Sequence, residues 1–212
     1  MARVYFGILA AVLFLTLIAQ CILTASEGRS LANTFSYFTI QSNVLIMVSS
    51  AVTAIRPPRA GTWWRLLRLA SLTGITVTGV VYAIFLAGSI HLTGLALLYN
   101  EIFHRVSPLL AVVGFVFVEP KLSYRWRDLW FLAWPVLWLI YTMIRGAYFH
   151  PQFTGFAPEP SNYPYPFLDI TKTPLTEIIG AIAIVSVLLA AVGCAFIQAD
   201  RLKPYRWLSR GR

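Results

Sequence analysis

Apolar residues gather in six runs, at about residues 4–23, 35–55, 66–86, 100–118, 129–148 and 175–197, with short polar connectors between them. Each run holds about 20 residues, the length an α-helix needs to cross the roughly 30 Å hydrocarbon core of a bilayer. The pattern predicts an all-α polytopic membrane protein, with residues 1–212 forming one domain of six transmembrane helices. Its punctuation agrees. Arg56-Pro57-Pro58-Arg59 closes the second run, because paired prolines cannot continue a helix. Trp63-Trp64 beside Arg65 and Arg68 reads as an interfacial belt, and Glu119-Pro120-Lys121 ends the fourth run. Gly74 and Gly79 in the third run allow a neighbouring helix to approach closely.

The first run exceeds the usual core of a cleaved signal peptide, about 7–15 residues, and Gln20 rather than a small residue precedes Cys21. It reads as a retained first helix. The longest connector, residues 149–174, is dense in proline and aromatics and includes Tyr163-Pro164-Tyr165-Pro166-Phe167. That composition favours a stiff extended path over helix, and connectors of this length are more often functional than passive.

Composition sharpens the class. Of the 212 residues 58% are hydrophobic and only 12% charged, with a mean hydropathy of +0.70, whereas a soluble domain carries about 25% charged residues. The net charge of +9 sits in clusters between the runs and forms no basic domain, so no nucleic-acid partner is expected. Arg3, the Arg56–Arg68 cluster, the Lys121–Arg127 cluster and the tail from Arg201 fall on one side of the predicted membrane. Arg29, Arg105, Arg145 and Lys172 fall on the other. The positive-inside rule then puts both termini in the cytoplasm. Cys21 and Cys194 lie near opposite membrane faces, beyond the reach of a disulfide.

Polar residues inside apolar runs are the candidates for chemistry, because hydrocarbon penalises them unless they face a partner or a cavity. The second run opens with Phe35-Ser36-Tyr37-Phe38-Thr39-Ile40-Gln41-Ser42-Asn43, and the fourth with Asn100, Glu101, His104, Arg105 and Ser107. Thr39 and His104 fall at the same depth near the outer end. A threonine hydroxyl becomes a nucleophile when a base takes its proton, and a neutral imidazole suits that task. Asn43 shares a helix face with Thr39, and Asn100 with His104; with Ser42 and Gln41 they are candidate oxyanion donors. Tyr141 and Arg145 share another face, and Arg145 suits a carboxylate. Plainer roles stand beside these: Thr39 bonding its own backbone, the amides joining helices, and Arg145 snorkelling to headgroups. His91, His104 and His150 match the number of histidines in some catalytic zinc sites, but no two have ligand spacing, so no metal or organic cofactor is expected.

Three ordered motifs carry a family resemblance: Tyr37-Phe38-Thr39, Asn100-x-x-x-His104-x-x-x-Pro108 and Tyr141-x-x-x-Arg145-Gly146. With six runs they resemble the androgen-induced/androgen-dependent membrane protein family, and Pro164-Tyr165-Pro166-Phe167-Leu168-Asp169 is similar to its prokaryotic branch. Animal members hydrolyse fatty acid esters of hydroxy fatty acids with an intramembrane threonine nucleophile and a partner histidine. The resemblance implies those roles for Thr39 and His104, a lipid or fatty acid ester as substrate, and a prokaryotic plasma membrane, near whose outer leaflet the charge-derived topology puts the site. A transporter or lipid-binding protein using the same polar pocket without covalent chemistry is the alternative expectation.

Overall fold

The computed structural model describes residues 1–56, 61–88, 92–154 and 159–203. His91, Pro57, Pro58, Arg59 and the tail arginines Arg206, Arg210 and Arg212 lie outside these residues. The chain is an integral membrane protein of six apolar spanning helices, and the described residues contain no strand. In hydrocarbon a segment must satisfy its backbone internally, which for runs of this length selects helix.

The spans are α1 (Ala2–Ser26), α3 (Phe38–Ile55), α4 (Thr62–Leu86), α5 (Gly94–Val118), α6 (Trp126–Phe149) and α7 (Leu175–Leu202), with a one-turn-plus helix α2 (Leu31–Ser36) between the first two. α4 is the central post: 61% of its most apolar stretch is buried, against 17% for α7 at the lipid-facing edge. α3 lies between α1 and α4, while α5, α6 and α7 pack around the remaining faces of α4.

Two boundaries differ from the sequence pattern in ways that matter. The second apolar run is not one helix from Phe35. Phe35 and Ser36 end α2, Tyr37 is extended (φ −67°, ψ 131°), and α3 starts at Phe38. The fourth helix starts at Gly94 rather than near Asn100, so Asn100 and His104 sit well inside it. α5 also widens into π turns at Ile102–Val106 and Gly114–Val118. Gly79 explains how α5 lies so close to α4. A Cβ there would stand 2.9 Å from the Pro108 side chain and 3.2 Å from the His104 carbonyl oxygen.

The arginines assigned to an interfacial belt turn inward instead. Arg65 Nε donates to Asp128 at 2.8 Å. Arg68 Nε donates to Glu119 at 2.8 Å with both side chains fully buried, and its Nη1 donates to Ser49 at 3.0 Å. A guanidinium within a helical bundle persists only with a counter-charge, and each of these has one. Asp200 accepts the backbone N–H groups of Leu122 and Tyr124, tying the end of α7 to the α5–α6 connector. This polar centre joins the ends of the spans opposite Thr39.

Among its described residues the long connector has no helix longer than a single 3-10 turn. Phe153 and Ser161 form an isolated antiparallel bridge, and Pro166–Leu168 makes one 3-10 turn. Asp169 organises its return by accepting from Ser161 Oγ at 2.6 Å and from the N–H and hydroxyl of Thr171. Burial alone would raise the Asp169 pKa, but these hydrogen bonds and the charge of Lys172 hold it below its ordinary value.

Candidate functional site

The break at Tyr37 sets up the site. Because α3 begins at Phe38, the carbonyl four residues before Thr39, that of Phe35, lies across the break, in α2. The Phe35 carbonyl instead accepts from Gln41 Nε2 at 3.1 Å. Elsewhere hydroxyls take the ordinary local route: Thr16, Ser36 and Thr53 each donate to the carbonyl four residues earlier. The hydroxyl of Thr39 has partners from distant parts of the chain. Its Oγ1 lies 3.2 Å from His104 Nε2 and 3.3 Å from Tyr165 Oη, with Thr39 buried to 6% exposure.

His104 sits in the first π turn of α5, a distortion often found at functional positions. Its Nδ1 lies 3.0 Å from the carbonyl oxygen of Asn100. A carbonyl can only accept, so Nδ1 carries the hydrogen and Nε2 presents a lone pair to Thr39. The imidazole stacks on Tyr82 at a centroid distance of 4.2 Å, and Tyr82 Oη accepts from Asn100 Nδ2 at 2.6 Å. Asn100 thus acts twice, orienting the imidazole through its backbone and the stacking ring through its amide.

Tyr165 comes from the long connector and is buried. Its hydroxyl accepts from the Thr39 N–H at 3.3 Å, satisfying an amide that the helix terminus would leave bare. Burial pushes its phenol pKa up, against the pull of the Thr39 hydroxyl and the Thr39 and Phe38 amides, so it stays a neutral donor at neutral pH. One donor order fits all these contacts. Tyr165 donates to Thr39 Oγ1, Thr39 donates to His104 Nε2, and His104 Nδ1–H donates to Asn100.

Beside this chain lies a largely apolar cavity of about 200 Å³, with Thr39 and Tyr165 in its wall among Phe38, Val77, Trp138 and Leu189. A second, polar cavity of about 460 Å³ is bordered by Arg29, Asn33, Tyr37 and Arg145. The Tyr37 ring meets Tyr165 edge-on at 5.7 Å, and this pair stands between the two spaces.

The other candidate residues divide by location. Asn43 Nδ2 donates to the carbonyls of Thr39 (2.9 Å) and Phe103 (3.2 Å), so its amide hydrogens clamp α3 to α5 and are not free for an oxyanion. The buried side chain of Ser42 faces α4 at Gly74, and Gln41 accepts from Trp134 Nε1 at 3.4 Å. Tyr141 Oη pairs with Ser36 Oγ at 2.9 Å. Arg145 Nη2 donates to Asn33 Oδ1 at 2.7 Å, and its guanidinium lies 5.5 Å over the Phe153 ring in the polar cavity, apart from Thr39. His150 pairs with Asn162, and among the described residues no three His, Cys, Asp or Glu side chains converge on a common point. Sequence reasoning missed Tyr165 and Tyr82 as site residues. The proline-flanked aromatic run was the only signal for the first, and it reported stiffness, not destination.

Fold and site together define a six-helix membrane protein with a threonine–histidine pair beside an apolar cavity. Compared with known proteins, the chain matches no family model, no curated protein and no solved structure.

Proposed function

We propose that this protein is an intramembrane esterase that hydrolyses lipid esters, such as fatty acid esters of hydroxy fatty acids, with Thr39 as nucleophile and His104 as base. The observation that carries the reading is the 3.2 Å approach of Thr39 Oγ1 to His104 Nε2, made by a threonine without the usual backbone partner. The bare Nε2 lone pair and the adjoining apolar cavity support it, as do the ordered motifs that resemble the androgen-induced/androgen-dependent family.

As Oγ1 attacks the ester carbonyl, its proton moves to His104 Nε2, and the electrons of the carbonyl π bond shift to oxygen. Collapse of that adduct breaks the bond to the leaving alkoxide, which takes the proton from Nε2 and departs as an alcohol. Water then attacks the acyl-threonine and gives a proton to Nε2. The acid is released, and the proton returns to Thr39. The acyl chain occupies the apolar cavity. With both termini in the cytoplasm, as the lysine and arginine bias indicates, Thr39 opens towards the outer leaflet of a plasma membrane.

The test is labelling of detergent-purified protein with a fluorophosphonate probe, together with turnover of fatty acid esters. Labelling should vanish in Thr39→Ala, and turnover should fall about 10²–10⁴-fold in His104→Ala, the range for loss of a general base. Folded wild-type protein that neither labels nor turns over ester would refute the enzyme. If Thr39→Val then still bound lipid, the pocket would belong to a carrier or lipid-binding protein.

A further inference from the structure

We propose that Tyr165 is a catalytic residue, the phenol that donates a hydrogen bond to the oxyanion formed when Thr39 attacks. This rests on the esterase reading and adds a group from outside the transmembrane helices to it.

An oxyanion at Thr39 needs a hydrogen-bond donor. The side-chain amides best placed by sequence are committed elsewhere: Asn43 to two backbone carbonyls and Asn100 to Tyr82. The Tyr165 hydroxyl is 3.3 Å from the nucleophilic oxygen and stands with Thr39 in the wall of the apolar cavity from which a carbonyl would approach. Once the carbonyl carbon is bonded to Oγ1, its oxyanion hangs from the next bond, so a donor beside Oγ1 is also beside the oxyanion. Tyr165 keeps its proton throughout. Its lone pair holds the Thr39 N–H while its O–H turns from Oγ1 to the new negative charge.

The phenol is also held in place. Its ring stacks on Phe167 at 5.3 Å with an interplanar angle of 7°, and it meets Tyr37 edge-on. A donor already fixed in a dry site needs little reorganisation as charge develops, which is why such groups matter more there than in water. The arrangement makes the long connector a working part of the site.

The experiment uses the full-length protein in detergent with a p-nitrophenyl acyl ester, an alkyl trifluoromethyl ketone and the matching methyl ketone. The fluorinated ketone forms an oxyanion adduct with the nucleophile, whereas the methyl ketone binds mainly as the ground state. Tyr165→Phe should lower kcat about 10²–10³-fold, the usual loss for one oxyanion donor, with KM nearly unchanged. It should weaken the trifluoromethyl ketone by a similar factor and spare the methyl ketone. Undiminished kcat, or equal weakening of both ketones with a matching rise in KM, would overturn the assignment. If Tyr165→Phe does not fold, 3,5-difluorotyrosine at position 165 keeps the ring and the hydroxyl. The alkaline limb of its kcat profile should move to lower pH, and an unmoved limb overturns the role. Activity lost in Thr39→Ala but full in Tyr165→Phe rejects Tyr165 alone. Silence of the wild type towards both ester and fluorophosphonate rejects the esterase and this role with it.

Discussion

Replacing Gly146 by alanine should dislodge the connector that carries Tyr165. Gly146 lies on the buried face of α6, and a Cβ built there falls no more than 2.6 Å from three atoms of the Tyr163 ring, where ordinary contact is 3.4–4 Å. The ring would have to retreat by roughly an ångström, yet it is 1% exposed and its backbone N–H is tied to Ser161 Oγ at 3.0 Å. Pro164 links Tyr163 stiffly to Tyr165, so the displacement reaches Thr39. Overpacking costs about 1–3 kcal/mol, and each of the two Tyr165–Thr39 hydrogen bonds contributes about 1 kcal/mol. The expected loss is therefore about 3–5 kcal/mol. At roughly 2–4 °C per kcal/mol for a chain of this size, the melting temperature in detergent should fall by about 6–20 °C. Tryptophan fluorescence follows the melt, and tryptic cleavage after Lys172 reports on the connector. Gly180→Ala on α7 is the control: it makes the same gain in helix propensity, but nothing lies within 4 Å of its new methyl. Tyr163→Ala makes room for the methyl, so Gly146→Ala should become nearly harmless in that background. If Gly146→Ala melts with Gly180→Ala, or its cost persists without the tyrosine ring, the reasoning is wrong.

At the other end of the bundle, Arg68→Met should destabilise by about 3–5 kcal/mol because it removes the ion-pair partner of the fully buried Glu119 carboxylate, whereas Arg68→Met with Glu119→Leu should recover most of that loss. Thermal melts of the two variants decide it, and a double variant no better than the single would refute the ion-pair account. Asp169 predicts an acid dependence. Its pKa is depressed in the folded state, so its contribution is complete above the ordinary value of 3.8 and fades as pH falls through the lower folded value. Connector cleavage by pepsin should therefore rise more steeply on acidification in wild type than in Asp169→Asn, which is loosened already at neutral pH. Parallel curves would reject the clamp.

The site was legible in the sequence only in part, and the reasons differ residue by residue. Thr39 and His104 stood out because hydroxyl and imidazole groups are costly in hydrocarbon, and their matching depths followed from counting residues along antiparallel spans. Asn43 and Asn100 were legible as buried polar groups but not as to role, because an amide donates equally well to a carbonyl or to an oxyanion. Their partners, Phe103 and Tyr82, lie on other helices or on another face of the bundle. Arg145 was assigned chemistry from its helix position, while a separate cavity holds it against Asn33. Arg65 and Arg68 misled, because an arginine beside tryptophans has the same local pattern whether it points at headgroups or at a carboxylate more than 50 residues away.

The sequence by itself determined the class of the protein: an all-helical membrane domain with six spans. Both follow from run length and hydropathy, which act over neighbouring residues. The break at Tyr37, the π turn under His104 and the arrival of Tyr165 at Thr39 were decided by tertiary structure. Each depends on how helices and connector pack across separations of 60 residues or more, where local propensity has no influence and only the three-dimensional arrangement selects the partner.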